Sequence, residues 1–135
     1  MNLDGSGKAV LTTVGSTSLA AGTHNITAVY SGDSNFGTST SNLLTHIVTQ
    51  AIGLEVMTVT SSRNPATFGD AVTFSINVSS PVGVTPTGSV TLIDAGTTLG
   101  VVTLDAAGNG ALTVPVFTAG THTVNATYSG DNNYK

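Results

Sequence analysis

The sequence predicts an all-β fold, an antiparallel two-sheet β-sandwich, and three observations support this prediction. Only 7% of the 135 residues are charged, against roughly 25% in typical domains, so Thr, Ser and Asn supply the polar surface. Thr and Val are β-branched and favour strands. The 16 Gly residues provide turns between short alternating segments. No segment shows the helical period of apolar residues.

An internal repeat determines the predicted organisation. The segment Gly22–Phe36 recurs as Gly120–Tyr134 at an offset of 98 residues. Further upstream, Leu3-Asp4 matches Leu104-Asp105 at an offset of 101. A period of about 100 residues is the usual size of one sandwich domain.

The phase of the repeat divides the chain unequally. Residues 1–50 are predicted to be the C-terminal part of one unit, and residues 51–135 the next unit without its final strand. The chain thus holds about one and a third units of a tandem repeat cut out of phase. Three explanations are possible: a window of a longer array, a truncated reading frame, or strand exchange with a neighbouring chain. The first two are favoured.

Alternation predicts the individual strands. In residues 51–135 they are Leu54–Thr60, Ala71–Val78, Ser89–Ile93, Thr98–Leu104, Gly110–Phe117 and Thr121–Tyr128. Residues 1–50 are predicted to contain copies of the fifth and sixth strands, Lys8–Val14 and Thr23–Tyr30, and a seventh strand, Asn42–Thr49. Val72, Phe74, Ile76 and Val78 share one face and are predicted core residues. Pro115 indicates an edge strand or a bulge.

Composition excludes several classes of function. The net charge is −4, and the strong bases are Lys8, Arg63 and Lys135, too few for a nucleic-acid surface. No apolar run approaches the roughly 20 residues that span a bilayer. The absence of Cys excludes disulfides and thiolate metal sites. The N-terminal residues Met1–Asp4 do not begin a signal peptide, so an export signal is expected upstream.

Four segments carry a resemblance to a known family: Thr58–Pro65, Phe68–Phe74, Pro86–Leu92 and Ala119–Asp131. They resemble the bacterial immunoglobulin-like (Ig-like) repeat domains of large surface and adhesin proteins. The resemblance covers essentially the whole chain, although neither unit is complete. It implies an Ig-like sandwich, tandem arrays, export, and a role as an adhesin stalk or spacer.

Residues able to carry chemistry recur at the same repeat positions. His24 and His122 alternate with apolar residues near a strand start, which predicts a hydrogen bond across the connection between the fifth and sixth strands. Tyr30 and Tyr128 are predicted to bury the ring and anchor the hydroxyl on backbone. No nucleophile–base pair and no paired carboxylates are recognisable. The chain is therefore predicted not to be an enzyme, with no catalytic residues.

The repeated Gly-Asp-x-Asn motif has two interpretations. The first is an Asx turn after the sixth strand, at Asp33 and Asp131. The second is calcium at a unit junction, with Glu55, Asp105 and Asp131 as candidate ligands. Calcium requires six to eight oxygens, which three carboxylates supply poorly. No cofactor is therefore expected, and calcium is the alternative.

The predicted function is a non-catalytic structural spacer in an extracellular, secreted or cell-surface protein. Neighbouring Ig-like repeats are the expected partners, and an open sixth-strand edge predicts strand exchange or self-association. The alternative is a module whose loops bind a glycan or a protein. Exposed loop aromatics would support that alternative, and the candidates in the sequence are Phe36 and Tyr134.

Overall fold

The computed structural model describes residues 2–14, 17–52, 56–81 and 83–135. Contacts divide the chain into two compact units, residues 1–50 (unit 1) and residues 51–135 (unit 2). The strands, in chain order, are β1 (Gly22–Ile26), β2 (Val29–Tyr30), β3 (Ser39–Thr40), β4 (Leu44–Val48), β5 (Val56–Ser61), β6 (Val72–Ser79), β7 (Ser89–Asp94), β8 (Thr97–Thr103), β9 (Asn109–Val114) and β10 (Val124–Tyr128).

Unit 2 is built from two three-stranded antiparallel sheets, with strand orders β5-β6-β9 and β10-β7-β8. Side chains of a strand alternate between its two faces, so one apolar face of each sheet turns inward. The predicted core face of β6 is confirmed, because Val72, Phe74, Ile76 and Val78 are all buried. Across from them lie buried Val90 and Leu92 of β7 and, from β8 and the turn after it, Val102 and Leu104.

Tight turns hold these strands in register. Ala95 and Gly96 join β7 to β8 and both have positive φ, 47° and 86°, as a two-residue hairpin turn of the mirror-image type requires. Gly108 follows β8 with φ of 77°. Its carbonyl accepts a hydrogen bond from the N–H of Val78 at 2.8 Å, so the β8–β9 turn is bonded to the end of β6.

Two predicted strand boundaries in unit 2 are wrong by three residues each. The fifth strand, β9, ends at Val114 because Pro115 has no N–H to continue the ladder. The sixth strand, β10, begins at Val124 rather than Thr121. The N–H of Thr123 donates to the carboxylate of Asp94 at 3.1 Å instead of to a neighbouring strand. Of the predicted first strand, Leu54 and Glu55 lie outside the described residues.

Unit 1 consists of two short antiparallel ladders, β1 with β4 and β2 with β3. The predicted strand Lys8–Val14 is wrong, since no strand forms there. Its counterpart β9 pairs with β6, and residues 1–50 contain no counterpart of β6 to satisfy those backbone groups. The predicted sixth strand is divided into β1 and β2, and β3 was not predicted. None of the described residues of unit 1 is buried.

Candidate functional site

Asp131 closes the turn that follows β10. Its Oδ1 accepts hydrogen bonds from the N–H groups of Asn133 and Tyr134 at 2.7 and 2.9 Å. Its Oδ2 accepts from the N–H and hydroxyl of Thr87 at 2.7 and 2.9 Å. Partial burial raises the pKa of Asp131, but these hydrogen bonds outweigh it and the pKa lies below its usual value. The ionised carboxylate thus joins the end of β10 to the segment before β7.

The same turn occurs in unit 1, as the Asx-turn interpretation predicts. Oδ1 of Asp33 accepts from the N–H groups of Asn35 and Phe36 at 2.7 and 2.9 Å. Its Oδ2 accepts from the hydroxyl of Tyr30 at 2.7 Å, because residues 1–50 contain no counterpart of Thr87. The backbone N–H of Asn35, then the Tyr30 hydroxyl, lower the pKa of Asp33. The turn is therefore a local property of the motif, and its second partner depends on the surrounding unit.

Asp105 closes the β8–β9 turn in the same manner. Its Oδ1 accepts from the N–H groups of Ala107 and Asn109 at 2.9 and 2.8 Å, and the bond from Asn109 contributes most to lowering its pKa. Asp4 repeats this geometry with the N–H groups of Ser6 and Lys8, both at 2.9 Å. The matched turns therefore form even where the strand that should follow, Lys8–Val14, does not.

The described residues contain no assembled calcium site. Glu55 lies outside the described residues, and among the residues that are described no group of three or more His, Asp or Glu side chains could hold a metal ion. A carboxylate offers about four lone-pair positions, and four protein donors occupy those of Asp131. A calcium ion would have to displace them. Calcium binding through Glu55, Asp105 and Asp131 stays a prediction.

Two tyrosines anchor the same end of unit 2. The hydroxyl of Tyr128 donates to the carbonyl of Thr87 at 2.5 Å, as predicted. The hydroxyl of Tyr134 donates to the carbonyl of Val84 at 2.5 Å, and the residue is only 2% exposed. Tyr134, one of the two candidate aromatics of the binding alternative, is therefore not exposed, because its ring is buried and its hydroxyl is bonded within the protein. Phe36 is 69% exposed, and Phe68, which was not predicted, is 73% exposed.

His122 connects three segments at the opposite end of unit 2. Its Nε2–H donates to the carbonyl of Thr118 at 3.0 Å, and its Nδ1–H faces Oδ2 of Asp94 at 2.5 Å. Its ring centroid lies 4.7 Å from that of Phe117. His24 makes the matching bond to the carbonyl of Ala20 at 2.6 Å. The predicted hydrogen bond across the connection between the fifth and sixth strands is thus present in unit 2, and His24 makes the matching bond in unit 1, where the fifth strand does not form.

The sequence analysis did not identify Asp94 as a functional residue, because it lies between the predicted strands Ser89–Ile93 and Thr98–Leu104. Pairing of β10 with β7 places Asp94 opposite Val124, two residues from His122. The only sequence signal was an acid at the start of an Asp-Ala-Gly turn, which is common in hairpins. Residues 1–50 contain no counterpart of Asp94, so His24 provides a natural comparison.

The bonds of His122 define what it can do chemically. The Thr118 carbonyl contributes most to raising its pKa, and the Asp94 carboxylate adds to this. Both ring nitrogens point at acceptors, so the protonated ring satisfies both at once. A general base or a metal ligand needs a free nitrogen lone pair. Both contacts thus favour the protonated form of the ring, which offers no free lone pair.

The stability of unit 2 is expected to decrease as the pH rises from about 6 to 8. A histidine whose pKa is raised on folding contributes stability below its unfolded pKa, near 6.5, and loses it as the pH rises through the folded pKa. His122→Gln should flatten this dependence in melting curves recorded across that range. His24→Gln is the matched control and should preserve it. Equal pH slopes for wild type and His122→Gln would contradict the assignment.

A cleft of about 580 Å³ lies beside His122, between the β5–β6 and β9–β10 connections. Buried Val72 and Phe74 and partly buried Phe117 and Val124 contribute its apolar lining. At its rim, Arg63 pairs with Asp70 at 3.1 Å. One wall runs along Gly120–His122 and Val124, a segment whose counterpart in unit 1, Gly22–Ile26, forms β1.

The model of the bacterial Ig-like domain (group 3) matches residues 1–49 and residues 59–135. The chain belongs to this bacterial Ig-like domain family. No curated protein and no solved structure matches the chain.

Membership in the bacterial Ig-like domain family agrees with the all-β sandwich of unit 2. Domains of this family are generally non-enzymatic and commonly occur in surface or extracellular proteins. In the part of the chain that the structure describes, no helix has the length and apolar character needed to cross a bilayer.

Proposed function

We propose that this chain is a load-bearing spacer module of an extracellular bacterial protein, in which it displays other modules away from the cell. The observation that carries the proposal is that its polar side chains are hydrogen-bonded within the protein. Both carboxylate oxygens of Asp131, both ring nitrogens of His122 and Oδ1 of Asp105 are bonded to other groups of the protein. The groups that could have performed chemistry serve the architecture instead.

The backbone at the ends of unit 2 supports a load-bearing role. Ala51 forms a parallel bridge with Tyr134. The N–H of Ala51 donates to the carbonyl of Asn133 at 2.7 Å, and the N–H of Lys135 donates to the carbonyl of Ala51 at 3.1 Å. Tension applied to the two ends pulls parallel segments in opposite directions, which loads both bonds together in shear rather than one after the other.

Single-molecule force extension of the 135-residue chain, tethered by its ends, tests the proposal. Unfolding of residues 51–135 should appear as one force peak that releases about 28 nm of chain, at about 3.3–3.6 Å per residue. Ala51→Pro removes one N–H donor of the bridge and should lower the peak force. Ile52→Ala, at an exposed neighbouring position, is the control and should leave it unchanged.

Extension without a force peak would contradict the load-bearing role. The same measurement in the presence of calcium and then of a chelator tests the calcium hypothesis, because a bound ion at the loop ends would raise the peak force. The alternative function, binding of a glycan or protein by loop aromatics, has lost Tyr134 as one of its two predicted contacts. A peak force equal in all solutions and lowered only by Ala51→Pro would support the spacer without calcium.

A further inference from the structure

Asn109 and Gly110 begin strand β9, and theirs is the one Asn-Gly sequence in the chain. Asn followed by Gly is the dipeptide most prone to deamidation. Gly carries no side chain to shield its backbone nitrogen, and it adopts conformations that other residues avoid. Because the reaction requires only water, this pair is the place in the chain where spontaneous modification is chemically favoured.

The reaction begins when the backbone nitrogen of Gly110 attacks Cγ of the Asn109 side chain. The new N–Cγ bond closes a five-membered succinimide ring, the Cγ–Nδ2 bond breaks, and ammonia leaves with the proton of the Gly110 N–H. Water then opens the ring. Hydrolysis at Cγ gives aspartate, whereas hydrolysis at the main-chain carbonyl gives isoaspartate, in which the backbone runs through the side-chain carboxyl carbon.

The β6–β9 ladder holds the attacking nitrogen away from this reaction. Gly110 lies opposite Ile76 of the central strand β6. Two residues away, the N–H of Val78 donates to the carbonyl of Gly108 at 2.8 Å. The alternation of hydrogen-bonded pairs in an antiparallel ladder therefore directs the Gly110 N–H at the carbonyl of Ile76. Ring closure requires that this N–H leave the ladder and that the extended backbone of Asn109 rotate.

The side chain of Asn109 is held as well. Its Oδ1 accepts a hydrogen bond from Nδ2 of Asn77 on β6 at 2.8 Å, so Cγ is directed across the sheet. Its backbone N–H donates to Oδ1 of Asp105 at 2.8 Å. Packing also explains the reactive glycine, because a Cβ added at Gly110 would overlap Cγ1 of buried Val102. The fold thus requires a labile pair and restrains it.

We propose that Asn109 is a deamidation site that the β6–β9 ladder protects, so that it reacts while unit 2 is unfolded and is preserved while unit 2 is folded. Isoaspartate adds a backbone carbon before Gly110, so the following residues of β9 no longer meet their partners on β6. Aspartate keeps the backbone and an acceptor for Asn77. In a load-bearing module, the function proposed above, isoaspartate therefore makes prolonged unfolding irreversible.

Peptide mass spectrometry of the Ala95→Asn variant tests the protection. This substitution creates a second Asn-Gly pair, at positions 95 and 96, in an exposed turn outside β7 and β8. The positive φ values of that turn suit Asn and Gly. In native buffer at mildly alkaline pH, position 95 should lose its amide at least about tenfold faster than Asn109. In urea above the unfolding midpoint, the two rates should converge. Equal rates at Asn109 in native buffer and in urea would overturn the inference, whatever position 95 does.

The second test measures refolding. The 135-residue chain is aged in urea and diluted into native buffer, and the folded and unfolded fractions are separated by size. Isoaspartate at position 109 should be several-fold enriched in the unfolded fraction. Asn109→Asp is the control and should refold like the wild type. Equal amounts of isoaspartate in both fractions would contradict its effect on β9. Neither test applies force, so the site can fail or stand independently of the spacer function.

Discussion

Gly108→Ala is expected to destabilise unit 2 by about 4 kcal/mol or more, combining backbone strain with a steric overlap. Gly108 is buried and has a φ of 77°, a conformation that costs residues with a side chain energy. An added Cβ would overlap the carbonyl oxygen of Val78. That atom belongs to the central strand β6 and cannot move without disturbing the sheet. Urea unfolding followed by circular dichroism measures the effect.

Gly96→Ala is the matched control for this experiment. Gly96 also has a positive φ, 86°, but nothing lies within 4 Å of an added Cβ. Its substitution carries only the conformational cost, of about 1 kcal/mol. If both variants shift the urea midpoint equally, the close approach of the β8–β9 turn to β6 does not contribute, and the structure of this turn is wrong.

Leu92→Ala is expected to cost about 3 kcal/mol of unfolding free energy, within the usual range of 2–5 kcal/mol for a buried leucine. Leu92 is fully buried in β7, the central strand of its sheet. Removing its side chain leaves a cavity between the two sheets. Because unit 2 has only a small core, neighbouring strands have few other contacts to compensate.

The control for Leu92→Ala is Val101→Ala, on the adjacent strand β8. Val101 is largely exposed, so its truncation should change the unfolding free energy by less than about 0.5 kcal/mol. The urea midpoint of each variant, at unchanged slope, provides the comparison. A similar loss for both would show that the sandwich core is not centred on β7.

Local sequence patterns predicted much of unit 2 correctly. Alternation identified the core face of β6 because residues two apart along a strand necessarily share a side. The Gly-Asp-x-Asn motif predicted an Asx turn because Asp33 and Asp131 reach backbone N–H groups only two and three residues away. Such features depend on residues close together in the chain, so they can be predicted without knowing the tertiary structure.

Predictions that depended on partners distant in sequence were less accurate. Lys8–Val14 has the pattern of a strand but forms none, because a strand requires a backbone partner that residues 1–50 do not contain. Tyr134 occupies a loop position and is nevertheless buried, because Val84, 50 residues away, accepts its hydroxyl. Asp94 became recognisable as the partner of His122 only through the pairing of β10 with β7.

By itself, the sequence determined the all-β class, the repeat, the turns at Asp33 and Asp131, and the inward face of β6. Each of these follows from composition, periodicity or contacts within a few residues. The tertiary structure alone decided which strands pair, that His122 meets Asp94, and that a cleft lies beside His122. Those features arise from contacts between segments far apart in the chain, where pairing depends on which backbone edges meet.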